Sequence, residues 1–141
     1  MNYGVILAGG KGSRMKSLEI PKQYYEINGI PVIVYTLKKF IEINCFDYIY
    51  IAINNDYKEL MNSLLKNYFQ EEIPKITLVE GGNERIDSIH NVIKSININE
   101  INDDDVIVIH DAVRPFVTDK IILVSLSFIC IFDIPRLSDS F

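Results

Sequence analysis

Apolar residues along the chain change period in a regular way. Residues 3–8, Tyr-Gly-Val-Ile-Leu-Ala, form a nearly unbroken apolar run of strand length almost at the N-terminus. Between 31 and 43 the apolar side chains fall at 33, 34, 37, 40 and 41, one face of a helix, with Pro31 admissible in its first turn. Residues 48–53 read as a second buried strand, and 56–69 return to helical period through Tyr57, Leu60, Met61, Leu64, Leu65 and Tyr68. A short strand over 75–79 follows, then a helix over 84–96 with Ile86, Ile89, Val92, Ile93 and Ile96 on one face, then the β-branched strand 106–109. Such alternation predicts a mainly parallel sheet with helices on both sides, a three-layer α/β/α domain of four strands.

Three of the predicted strand ends carry residues suited to chemistry. After the first comes Gly9-Gly10-Lys11-Gly12-Ser13-Arg14-Met15, followed by Pro21-Lys22-Gln23. Three glycines within four positions let backbone N–H groups turn toward phosphate oxygens without Cβ interference, and Arg14 and Lys22 would supply charge on either side. The spacing is not that of a Walker loop, because Lys11 precedes the last glycine, nor of a dinucleotide fingerprint, because Met15 stands at its third glycine. The next loop is Gly81-Gly82-Asn83-Glu84-Arg85-Ile86-Asp87-Ser88. Its glycines admit a flat ligand, while backbone near Asn83 and the Ser88 hydroxyl could read a base edge. Equally, Asn83 or Asp87 could cap the helix and leave Arg85 exposed. The last is His110-Asp111-Ala112-Val113-Arg114-Pro115. In open α/β sheets this edge binds the ligand. A carboxylate facing a triphosphate suits Mg²⁺, so Asp111 is the expected metal ligand, and Arg114 could clamp a phosphate. His110 is expected to be packed and hydrogen-bonded.

Composition narrows the picture. With 141 residues, 48% of them hydrophobic, the chain can bury one core and not two. A formal net charge of -5 without a basic run argues against a nucleic-acid partner. Cys45 and Cys130 lack metal-ligand spacing, and Asp103-Asp104-Asp105 is expected to be a solvated turn. The apolar stretch 121–132 is shorter than the roughly 18–20 residues of a membrane span. No charged leader precedes the first strand, so a cytoplasmic protein is expected.

Together, residues 7–15, Pro21-Lys22-Gln23, Gly81-Gly82-x-x-Arg85-x-x-Ser88 and residues 110–115 resemble the cytidylyltransferases that activate sugar-alcohol phosphates. The two branches of that family act on 2-C-methyl-D-erythritol 4-phosphate and on D-ribitol 5-phosphate. The resemblance covers residues 3 to about 122. It implies a Rossmann-like nucleotidyltransferase domain that binds CTP through Leu7, Ala8, Gly9, Gly10, Gly12 and Ser13. Arg14 and Lys22 would stabilise charge at the α-phosphorus, and Gly82, Asn83 and Ser88 would sit against cytidine. Asp111 would hold Mg²⁺ and, with Arg114, meet the acceptor. Residues 7–10 and 111–118 look more like the ribitol branch, which makes D-ribitol 5-phosphate the expected acceptor. 2-C-methyl-D-erythritol 4-phosphate, or CTP binding without turnover, is the alternative. Family members continue into further strands and a projecting, dimer-forming arm. Residues 123–141 match neither, so 1–122 is expected to be the N-terminal part of the domain, truncated after its fourth β-strand region, with an atypical tail and without the arm of the family homodimer.

Overall fold

The computed structural model describes residues 1–9, 20–96, 100–120 and 122. In chain order its elements are β1 (Asn2–Ala8), the short hairpin β2 (Glu26–Ile27) and β3 (Ile30–Pro31), α1 (Val32–Glu42), β4 (Tyr48–Ile53), α2 (Lys58–Tyr68), β5 (Ile76–Glu80), α3 (Arg85–Ser95) and β6 (Val106–Asp111). The strands β5-β4-β1-β6 lie in that order in one sheet, every pair parallel. β1 is thus a central strand, with β4 on one side of it and β6 on the other.

Strand periodicity sorts the side chains into two layers. Ile6, Ala8, Ile49, Ile51, Ile53 and Val108 meet Ile33, Leu37, Phe40, Met61 and Leu65 of α1 and α2. The alternate residues Tyr3, Val5 and Ala52 meet Val92 and Ile96 on the α3 side, with Leu7, Ile107 and Ile109 packed around them. Each fully buried aliphatic side chain contributes about 1.5–3 kcal/mol, so the helices are held to the sheet by these facing rows. The same alternation positions the site. Leu7 pairs in register with Asp111, and both follow odd-numbered neighbours of the α3 face.

Glycine makes room for an aromatic pair at one core position. A Cβ on Gly4 would lie 3.0 Å from the Phe40 ring, which is stacked on Phe46 with centroids 5.0 Å apart.

The four predicted strands and three helices are present, with instructive differences. β6 continues two residues past 109, because His110 and Asp111 extend the ladder opposite Ile6 and Leu7. Pro31 precedes the first helical residue of α1. Leu60, Tyr68 and Ile86 are 41%, 43% and 50% exposed: α2 presents only Met61, Leu64 and Leu65 as its buried strip, and Ile86 sits in the first turn of α3, ahead of Val92. At that helix start Asp87 is the capping residue of the two foreseen, its Oδ2 accepting from the Glu84 N–H at 3.0 Å. The hairpin was not foreseen, although Asn28-Gly29 with φ of 55° and 78° is a tight-turn signature.

Asp105 belongs to a turn, its Oδ2 accepting from the Asn102 N–H at 3.0 Å. Its Oδ1 takes the ammonium of Met1, and that bond, followed by the one from Asn102, holds the carboxyl below its usual range. No described helix is long and apolar enough to cross a membrane. The predicted tail, 123–141, lies outside the described residues.

Candidate active site

The carboxyl ends of β1 and β6 and the loop leading into α3 border a cleft of about 250 Å³. β1 and the residue after it contribute Leu7, Ala8 and Gly9; the loop and first turn of α3 contribute Gly82, Asn83, Glu84, Arg85 and Ser88; Asp111, Val113 and Gln23 complete it. Three sequence motifs far apart in the chain therefore meet in one place.

Close backbone approach makes this possible. The Gly81 N–H donates to Ile53 O at 2.6 Å, carrying the β5 chain past the end of β4. A Cβ on Gly81 would lie 3.1 Å from Gly9 Cα, and one on Gly82 would lie 2.1 Å from Asp87 Cβ. Glycine at 9 and 81 thus lets two loops touch, and glycine at 82 lets the loop fold onto its own helix. Ser88 is buried, at 4% exposure. Its Oγ accepts from the Gly82 N–H at 3.0 Å and donates to Glu84 O at 3.4 Å. Ser88 reaches the cleft as expected, yet its hydroxyl is already engaged in holding the wall.

Gln23 is a residue to which sequence reasoning gave no role. It is buried, and its Nε2 donates to Ala8 O at 2.8 Å, fixing the end of β1 from within the cleft. Its neighbour Lys22 in the same 3-10 turn is exposed, and burial is not written in the motif. Gly10, Gly12, Ser13 and Arg14 lie outside the described residues.

Asp111 ends β6 between two guanidinium groups. Arg85 Nε is 3.5 Å from its Oδ1 and Arg114 Nε is 3.5 Å from its Oδ2. Arg85 stood in the motif without an assigned part. The turn below is fixed from two sides: the Ala112 N–H donates to Leu7 O at 3.0 Å, and the buried Thr36 Oγ1 of α1 donates to Ala112 O at 2.8 Å. His110 Nε2 donates to Arg114 O at 2.9 Å, and its ring centroid is 5.6 Å from that of Phe40, the packed position anticipated. An adjoining hollow of about 490 Å³ shares Val113 and is bordered by Arg114, Pro115 and the exposed Phe116.

Among the described residues no group of three acidic, histidine or cysteine side chains could hold a metal. The donor chemistry here is one carboxylate at the edge of the cleft, which suits Mg²⁺ as a single protein ligand where waters or phosphate oxygens complete its shell.

A parallel sheet of this order with a glycine-walled cleft at its carboxyl edge defines an α/β fold of the nucleotidyltransferase type. The model of the IspD family, 2-C-methyl-D-erythritol 4-phosphate cytidylyltransferase, matches residues 3–128, and the chain belongs to that family. Its fold is similar to that of 4-diphosphocytidyl-2C-methyl-D-erythritol synthase from Anaerococcus prevotii, at TM-score 0.70 and 23% identity over 93% of this chain and 51% of that one. Another structure of a 4-diphosphocytidyl-2C-methyl-D-erythritol synthase gives 0.65 and 18%, over 86% of this chain and 51% of that one. The bifunctional IspDF from Campylobacter jejuni gives 0.68 and 19%, over 91% of this chain and 30% of that one. The chain thus spans about half the length of the first two relatives, 51% of each.

Proposed function

We propose that this chain forms the nucleotide-handling part of a CTP-dependent cytidylyltransferase whose acceptor is 2-C-methyl-D-erythritol 4-phosphate. The acceptor replaces the D-ribitol 5-phosphate expected from the motifs: the matching family model is named for the methylerythritol substrate, and the similar structures are synthases of its cytidylyl product. The observation that carries the reading is the convergence of Gly9, Gly82, Asn83, Arg85 and Asp111 on one cleft.

In this reaction an oxygen of the acceptor's phosphate attacks the α-phosphorus of CTP. The new P–O bond forms as the bond from the α-phosphorus to the bridging oxygen breaks, and pyrophosphate leaves with the electron pair. Negative charge grows on the non-bridging and leaving oxygens, so positioned cations do most of the work. Leu7, Ala8 and the glycine-rich wall form a slot for the pyrimidine, with Asn83 and Ser88 at its side. Gly10, Gly12 and Ser13 cradle the triphosphate, and Lys22 and Arg14 meet the α-phosphoryl group. Asp111 would hold Mg²⁺, which when bound neutralises triphosphate charge. Arg114, at the border of the adjoining hollow, meets the phosphate of the acceptor in this reading.

The test is pyrophosphate release by the 141-residue chain with CTP and Mg²⁺, given each acceptor in parallel. Release with 2-C-methyl-D-erythritol 4-phosphate alone is expected. Release with D-ribitol 5-phosphate alone would overturn the acceptor, and preference for UTP or ATP would overturn the cytidylyl assignment. CTP binding without release would favour a nucleotide-binding fragment.

A further inference from the structure

Arg85 is the first residue of α3, where a cation is unfavourable because the free N–H groups of a helix start already carry positive partial charge. Helix stability therefore does not account for it. Its guanidinium instead spans to β6, where Nε lies 3.5 Å from Asp111 Oδ1, while Arg114 Nε lies 3.5 Å from Oδ2. Each oxygen of the carboxylate assigned to the metal thus has a cation against it.

Both pairs are loose. A tight charge-assisted bond is about 2.7–2.9 Å long, whereas these are 3.5 Å and their arginine side chains are 60% and 74% exposed. Exposed pairs of this kind are weak and exchange easily. The two arginines also differ in attachment. The Arg114 N–H donates to Asp111 O at 3.2 Å, so it belongs to the same turn as the carboxylate. Arg85 comes from the opposite wall and lines the cleft itself, where an entering nucleotide would meet it.

We propose that Arg85 is a positioning residue that competes with a divalent cation for Asp111. In the ligand-free chain Arg85 occupies one carboxylate oxygen and disfavours the metal. A triphosphate entering the cleft draws the guanidinium onto its own oxygens and releases that oxygen, so metal and nucleotide bind with positive coupling. This inference rests on the reading of Asp111 as the metal-holding carboxylate.

The experiment uses Mn²⁺ alone as probe, its free concentration followed by electron paramagnetic resonance, with the full chain and the variants Arg85→Gln, Arg85→Lys and Asp111→Asn. Circular dichroism confirms that each is folded. Removing one positive charge a few ångströms from a divalent ion in a partly solvated site should tighten Mn²⁺ binding by about 3- to 10-fold. Arg85→Gln is expected to show that gain, Arg85→Lys to stay near the parent, and Asp111→Asn to lose the site. A merely structural role for Arg85 would not raise metal affinity or be rescued by lysine. If Arg85→Gln takes up no more Mn²⁺ than the parent, whether both bind or neither does, the competition is refuted. If Asp111→Asn retains the parent's binding, the metal reading of Asp111 fails and this inference fails with it.

Discussion

Tyr24, next to Gln23 in the turn that borders the cleft, shows how far a single side chain can depart from what its sequence position suggests. It is 3% exposed and stacked on Tyr57 with centroids 5.0 Å apart, and its hydroxyl has no hydrogen-bonding partner among the described residues. Burial first, and the neighbouring Tyr57 second, push its pKa from 10.0 up to about 12. A buried hydroxyl left unpaired costs stability, so Tyr24→Phe should be neutral or stabilising by up to about 1 kcal/mol at pH 7. The two variants should diverge at high pH. The folded parent keeps the Tyr24 proton while the unfolded chain loses it from 10.0 upward. That contribution is therefore complete below pH 10 and disappears as pH rises toward 12, a loss of order 2 kcal/mol. Urea unfolding of both proteins at several pH values between 8 and 12 checks this. An equal pH slope for parent and Tyr24→Phe would rule it out.

Between elements, the contact that most directly links scaffold to site is the Thr36 Oγ1 bond to Ala112 O, 2.8 Å long and fully buried. It ties α1 to the turn between Asp111 and Arg114. Thr36→Val keeps the shape but leaves a buried carbonyl without this donor, which should cost about 1–3 kcal/mol by chemical denaturation. An unchanged denaturation midpoint would show that the carbonyl finds another partner. Elements of this kind were legible in the sequence where one face is buried: Ile33, Leu37 and Phe40 repeat at helical spacing, and 106–109 is wholly β-branched. The period missed what it cannot encode. Two-residue strands around Asn28-Gly29 are too short to show alternation, and the turn residues alone do not reveal that strands flank them. Ile86 has the right phase but lies ahead of the part of α3 that meets the sheet. The motifs likewise identified the loops that would meet, since topology places strand ends together, but not which atoms would pair. Gln23 with Ala8 and Arg85 with Asp111 depend on tertiary distance, 15 and 26 residues apart, and Ser88 with Gly82 depends on how the loop folds onto its helix.

For the whole molecule the relevant quantity is charge. The chain has a formal net charge of -5, yet the proposed substrate is a polyanion, so distant repulsion and local attraction must act together on it. Among the described residues, attraction would come from Arg85 and Arg114 at Asp111 and from exposed Lys22 beside Gln23, and the proposed role of Arg14 adds another cation. The two effects have different ranges. The Debye length falls from about 30 Å at 0.01 M salt to about 10 Å at 0.1 M and about 3 Å at 1 M. The first tenfold increase in salt screens charge spread over the molecule and leaves contacts of a few ångströms largely intact; the second weakens those contacts too. CTP affinity, measured by titration calorimetry without Mg²⁺ so that the ligand's charge stays fixed, should therefore hold steady or rise up to about 0.1 M and then fall severalfold toward 1 M. A steep fall beginning at the lowest salt would mean that the cleft cations outweigh the net charge at every distance. Affinity that does not fall by 1 M would mean that binding does not depend on these cations, and the roles proposed for Lys22, Arg14 and Arg114 would have to be given up.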